Sequence, residues 1–233
     1  MHASGIKAGK VRALALAMLL IMATGARAQT EYRDVGAWSS MTFPKGWKQA
    51  ALDKVVKFKR DASVSGVEFR AGFAKSLKNG EMELPFVIVV AQPHSMAGLR
   101  LDDIEETYES EMRVPMFAGV QQGETEFYLG SQMIVHRLSL ANFKGGDAKA
   151  IVYTYLTKNG FVHVACFDAA KRFEGSEETF DDIAGSVEID PAQEFREARS
   201  RSSGGRFGRR GLYGAGGGIV TIILIALGIW ARK

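Results

Sequence analysis

The stretch that most constrains the fold is residues 149–167, where KAIVYTYLTK and FVHVACF flank a single Asn159-Gly160 pair. Both runs are rich in β-branched and aromatic side chains. Asn-Gly between two such runs is the strongest short hairpin signal, because both residues tolerate positive φ. An antiparallel pair is therefore expected here, turning at Asn159-Gly160. The pattern continues on either side. Residues 38–43, 54–60, 66–75, 85–92, 124–129 and 131–143 each read as a strand, and Pro44-Lys45-Gly46 closes the first of them. Residues 85–92 (PFVIVVAQ) are nearly all apolar and are expected at the centre of the sheet.

Two helices interrupt the strands. Leu101, Ile104, Tyr108 and Met112 recur at helical spacing and form one apolar stripe. Asp102 and Asp103 stand at its start, where the helix dipole favours acids. Further on, Ser176 is expected to cap a second helix, with Glu177 and Glu178 in its first turn and Phe180 and Ile183 facing inward. Residues 186–189 read as a last short strand. This order predicts an α+β fold, a mainly antiparallel sheet with helices packed on it. There is no internal repeat, and about 160 residues suffice for one hydrophobic core.

The two ends of the chain differ from this middle. In residues 1–28, Lys7, Lys10 and Arg12 precede an apolar run at 13–23, and Ala26-Arg27-Ala28 offers small residues at the positions read by signal peptidase. That is the pattern of a secretory signal peptide, the alternative being an uncleaved anchor. Residues 212–231 carry no charge, enough helical residues to cross a hydrocarbon core of about 30 Å. Tyr213 and Trp230 sit near the ends of this run, and Arg232 and Lys233 follow it. The expected organisation is a signal peptide (1–28), an extracytoplasmic domain (29–195), an Arg/Gly/Ser-rich linker (196–211), a transmembrane helix (212–231) and a cytoplasmic end (232–233). The expected location is a bacterial inner membrane, with the domain facing the periplasm or exterior. Two other readings of the tail stay open: an anchor on a cytoplasmic domain, and a removable sorting signal introduced by Gly216-Gly217-Gly218. Gly214 and Gly218 form a GxxxG that hints at a weak homodimer.

The sequence pI of about 9.1 and net charge of +4 invite a nucleic-acid reading until the charge is mapped. Residues 1–28 hold four basic residues and no acid, and residues 196–233 hold eight basic residues and one acid. The domain between them carries 18 basic and 25 acidic residues, a net −7. A nucleic-acid domain needs a basic face, so no nucleic-acid partner is expected. The arginines of the linker read as a solvated spacer with some attraction for anionic lipid.

The segment Ser40-Met41-Thr42-Phe43-Pro44-Lys45-Gly46-Trp47 resembles the strand, Pro, x, Gly, Trp opening of PsbP-like domains. Residues 173–187, with Phe180, Ile183 and Ser186-Val187, are similar to the closing helix of those domains, which likewise follows two hairpin strands. The resemblance covers residues 36–190. It implies an α/β/α sandwich around an antiparallel sheet. It also implies a binding or assembly role, since such domains serve as photosystem subunits, envelope proteins and a Ran-GTPase-binding factor. It brings no shared catalytic residues.

No catalytic, cofactor-binding or metal residues are assigned from the sequence, and no cofactor is expected. His136 and His163 lie in strands read as possible neighbours. As a metal pair they would need a third ligand such as Asp168 or Glu126, and no spacing motif supplies one. His94 belongs to a loop leaving the apolar strand. Cys166, among Val164, Ala165 and Phe167, reads as a buried thiol. His163 stands at i−3 to it and so points to the opposite face. The acids of the first helix read as a solvated face, and Gly80 and Gly145-Gly146-Asp147 as turns. Trp38 and Trp47 read as core, with a pocket lining as the alternative. The favoured function is a non-catalytic module that binds a protein partner in the envelope. The alternatives are an envelope hydrolase built around His94 or the acids, and a small-ligand or metal-binding domain using His136 and His163.

Overall fold

The computed structural model describes residues 29–34, 36, 39–51, 68–112 and 119–197. The signal peptide expected at 1–28, the strand expected at 54–60, Trp38, most of the expected linker and the apolar segment at 212–231 with Gly214 and Gly218 lie outside these residues. Among the described residues no helix is long and apolar enough to cross a membrane.

The hairpin at the centre of the sequence is also at the centre of the structure. Strands β1 (Thr30–Asp34), β2 (Ser39–Phe43) and β12 (Glu188–Ile189) form a small sheet in the order β1-β2-β12. Strands β3 (Lys48–Gln49), β4 (Glu68–Ala74), β7 (Phe86–Pro93), β8 (Val120–Tyr128), β9 (Met133–Phe143), β10 (Gly146–Thr157) and β11 (Gly160–Ala169) form a seven-stranded sheet in the order β3-β4-β7-β11-β10-β9-β8. Every pairing in both sheets is antiparallel. The short β5 (Leu77–Lys78) and β6 (Glu81–Met82) pair with each other. As its apolar sequence predicts, β7 is internal, lying between β4 and β11.

Each face of the large sheet has its own core. Helix α1 (Leu101–Met112) covers one face, placing Ile104 and Tyr108 against Ile88, Val90, Leu138, Val152 and Phe167. Helix α2 (Phe173–Gly185) and the small sheet cover the other. There Phe180 and Ile183 join Met41, Phe43, Trp47, Phe73, Val89 and Cys166. Phe43 stacks on Phe73 with ring centroids 3.9 Å apart, and Trp47 meets Phe180 edge-on at 6.5 Å. Trp47 is therefore core. The fold is α+β, a mostly antiparallel sheet with one helix on each face.

A buried ion pair fastens the small sheet to the large one. Arg70 of β4 donates two bonds of 2.7 Å to Asp34 of β1, and the Gly36 amide donates a third at 2.9 Å. A Cβ at Gly36 would stand 1.6 Å from the Arg70 guanidinium, so another residue there would push that side chain aside. The Tyr32 phenol, pushed up to about 12 by burial and then by Asp34, lies against the same pair.

Four local readings are corrected by the structure. Helix α2 begins at Phe173, three residues before Ser176, and Arg172 at its N-cap makes no side-chain cap bond. Ser176 instead donates to buried Asp168 at 2.7 Å, an acid that also accepts from Arg172 at 2.9 Å. The end of β11 thus holds the start of α2 through a tertiary contact. Strand β8 starts at Val120, earlier than the expected 124, with an irregularity between Gln122 and Thr125. Residues Leu129–Ser131 form a 3-10 turn, and Gln132 takes a left-handed φ of 52°, so β9 starts at Met133. Finally, the turn of the β10–β11 hairpin is Lys158-Asn159, because Gly160 already pairs with Thr157 and with Pro93 of β7.

Of the expected turn residues, Gly160 has the positive φ, 134°, and it is the one under compression. A Cβ there would lie 2.1 Å from the Gln92 carbonyl oxygen and 2.6 Å from the His94 nitrogen. Gly160→Ala combines a forbidden contact with a strained φ, so it is expected to cost about 3 kcal/mol or more. Urea denaturation of the variant against the parent measures this. Unchanged stability would mean that β7 does not press on the hairpin.

Candidate functional site

Three elements build a groove on the α2 side. Period-two alternation puts Met133, Val135 and Arg137 of β9 on one face, and Tyr153 and Tyr155 of β10 beside them. Helical spacing puts Glu177, Asp181 and Ala184 of α2 along one edge. Helix α2 packs against β11, β10 and β2, which leaves a groove of about 790 Å³ on its outer side. Tyr128 at the end of β8 stands at its rim.

Arg137, Tyr128, Tyr153 and Tyr155 of this groove are each held by a carboxylate or a backbone carbonyl. Arg137 bridges strand and helix by donating to Glu126 and, at 3.3 Å, to Glu177. Tyr128 donates to Glu126, and these two bonds, with the phenol contributing first, hold the Glu126 carboxyl below its usual range. Tyr153 donates to Asp181, and Tyr155 donates to the Ala184 carbonyl at 2.7 Å. Burial, followed by the nearby Cys166, pushes both phenols upward. What the groove offers is an apolar floor with a fixed set of hydrogen-bonding groups, a surface suited to binding.

The histidines lie elsewhere. His136 and His163 are fully buried on the α1 side. Their strands are not neighbours, because β10 lies between β9 and β11. Two strand spacings amount to about 10 Å, too far for one shared ion. His163 is engaged at both ring nitrogens, by Thr154 at 2.9 Å and Gln92 at 3.1 Å. His136 contacts Thr125 at 2.7 Å, while its Nε2 has no hydrogen-bond partner among the described residues. The other proposed ligands are occupied too, Glu126 by Arg137 and Tyr128, Asp168 by Arg172 and Ser176. The structure does not bring these residues together as a metal site.

Cys166 is a buried free thiol on the α2 face, opposite to His163, as the alternation requires. Burial, and then Asp181, push its thiol up, which removes it from nucleophilic chemistry. His94 lies just beyond β7, with its ring stacked on Phe161 at 6.2 Å and its amide donating to the Asn159 carbonyl at 2.9 Å. It lines a second groove with Met96, Lys158, Glu194, Phe195 and Arg196. Neither groove is visible in the sequence, because residues 137, 153 and 181 converge only through the strand order. The one local signal is Arg137, the single charged residue of β9.

No family model matches the chain. No curated protein matches it either. Several solved structures resemble it. Cyanobacterial PsbP (CyanoP) from Synechocystis sp. PCC 6803 is 12% identical, the match covering 71% of this chain and 95% of that one with a TM-score of 0.45. The Ran-binding protein Mog1p of Saccharomyces cerevisiae is 7% identical, covering 70% and 96% with a TM-score of 0.38. LpqN of Mycobacterium tuberculosis, involved in cell envelope biogenesis, is 9% identical, covering 72% and 88% with a TM-score of 0.38. These are likenesses of fold alone.

The buried imidazoles have a consequence for stability. Burial lowers His136 to about 4 and His163 to about 3 from an ordinary 6.5. The unfolded chain therefore binds more protons than the folded one between those values and 6.5. Stability is full above that window and is lost as pH falls through it. The expected loss is on the order of 3 kcal/mol per histidine between pH 7 and pH 4. Urea unfolding at the two pH values measures it, and His163→Gln should flatten the dependence. An equal slope in the variant would show that His163 is not buried neutral.

Proposed function

We propose that this chain is an exported, membrane-tethered protein whose α+β domain is a non-catalytic binding or assembly module of the bacterial envelope. Residues 1–28 export it, residues 212–231 anchor it in the inner membrane, and the domain engages a protein partner in the periplasm. The observation that carries the binding role is the groove beside α2, where Arg137, Tyr128, Tyr153 and Asp181 are engaged in side-chain bonds while its apolar floor is open. Tyr and Arg at the rim of such a floor are the residue types that dominate binding energy in protein interfaces. Export and anchoring are supported by the charge and hydropathy pattern of the two ends.

Affinity purification of the full chain from solubilised membranes should recover a stoichiometric partner. Met133→Glu and Arg137→Glu should each lower that recovery about tenfold or more, a loss of about 1.4 kcal/mol, with thermal denaturation confirming that the variants fold. Repeated recovery of the chain alone would overturn the reading. Topology has its own measurement. A reporter fused after Lys233 should be active only in the cytoplasm, and activity outside would reverse the orientation.

A further inference from the structure

The described chain ends at one end of the large sheet, which adjoins the groove beside α2 through Tyr128, Gln132 and Glu194 and carries further features of its own. Three connections meet at this end: the Leu129–Ser131 turn before β9, the Lys158-Asn159 turn before β11, and the loop that follows Pro93. Residues 190–197 cross it as a strap. Glu194 bridges to Thr157, the Gln193 carbonyl accepts from the Lys158 amide at 2.7 Å, and Phe195 is buried in the α1-side core. Its carbonyl accepts from Gln132 at 3.1 Å, and Glu197 reaches the Leu101 amide at 3.3 Å.

Two observations mark this end as a contact surface. Tyr128 and Leu129 are the exposed large hydrophobics among the described residues, at 45% and 41%, and both belong to it. Beside the strap lies a groove of about 1060 Å³ with Met96 and Phe195 as an apolar floor and His94, Ser95, Lys158 and Arg196 around it. Glu194 is the acid of that lining. The other carboxylates nearby are engaged, Asp102 and Glu197 by Arg100 at 3.1 and 3.7 Å, and Asp103 by the Arg100 amide at 3.3 Å. Lys158 and Arg196 outnumber Glu194 in a groove with an apolar floor, an arrangement that suits an amphiphile with an anionic head.

The length of chain beyond this end says what lies opposite it. Residues 198–211 separate the strap from the apolar segment and add Arg199, Arg201, Arg206, Arg209 and Arg210. Fourteen residues reach at most about 50 Å, so a bilayer holding residues 212–231 lies within that distance of this end of the sheet. Clustered arginines near a membrane add attraction for anionic lipid.

We propose that this end of the sheet is a membrane-docking surface: the groove between Lys158 and Arg196 seats the headgroup phosphate of an anionic phospholipid, and Tyr128 and Leu129 rest at headgroup level beside it. The proposal rests on the tether described above and adds a fixed orientation, in which the α2 groove adjoins the membrane contact at Tyr128.

The test uses the full chain reconstituted in vesicles, with a fluorophore on Leu129→Cys or, at the opposite end of the sheet, on Lys171→Cys. Cys166 is buried and stays unlabelled in the folded chain. In an equal mixture of phosphatidylcholine and phosphatidylglycerol, a nitroxide in the bilayer should quench the label at 129 several-fold more than the label at 171. Lys158→Glu with Arg196→Glu should abolish the difference, and phosphatidylcholine alone should reduce it. Equal quenching at the two positions would overturn the docking, and an undiminished difference in phosphatidylcholine would overturn the anionic headgroup. Binding of glycerol phosphate to the full chain, together with equal quenching at the two positions in the anionic mixture, would make the groove a soluble-phosphate site and overturn the lipid assignment. Alkaline carbonate extraction reads the tether separately: a chain that resists extraction but shows equal quenching loses the docking and keeps the anchor.

Discussion

Strands β10 and β11 bury apolar side chains on both of their faces, and this requirement organises the rest of the molecule. A hairpin of that kind cannot stand at the surface, since one face or the other would meet water. It needs paired strands on both sides to satisfy its amides and a layer above and below to cover its side chains. Strands β7 and β9 supply the first, and α1, α2 and the small sheet supply the second. The two cores are separate clusters that share only the backbone of the sheet.

Several polar side chains inside these cores find partners, although the His136 Nε2 and the Trp47 indole nitrogen have none among the described residues. Gln92, His163 and Thr154 form a chain across β7, β11 and β10, and Thr125 meets His136 across β8 and β9. A buried imidazole without partners would cost several kcal/mol. Joined this way it stays neutral, and its bonds tie neighbouring strands in one register. Asp168 acts similarly at the end of β11. Its buried carboxylate gathers Arg172 and Ser176 and so sets where α2 begins.

Much of this arrangement could be read from the chain. The hairpin, the apolar strand after Pro85, the stripe of α1 and the inward Phe180 and Ile183 all depend on local periodicity, which a sequence displays directly. The resemblance carried by residues 40–47 and 173–187 pointed to an antiparallel sheet between helices, and that is the arrangement found. The local misreadings share one cause, which is that tertiary contacts outrank local preference. Ser176 has the chemistry of a helix cap, but an acid eight residues earlier takes its hydroxyl. Gly160 has the chemistry of a turn, but β7 draws it into the sheet. The α2 groove was not legible because its side chains come from β8, β9, β10 and α2, and no spacing rule joins residues 126, 137, 153 and 181.

The strap at residues 190–197 gives the domain a mechanical character. Any load carried along the chain beyond Glu197 passes first through Phe195, which is packed in the α1-side core, and then through the Thr157–Glu194 bridge. Pulling on that segment works against burial and hydrogen bonds together, so tension is spread into the sheet before the last strand can peel. A pull at Glu197 is therefore borne by the α1-side core as well as by backbone hydrogen bonds.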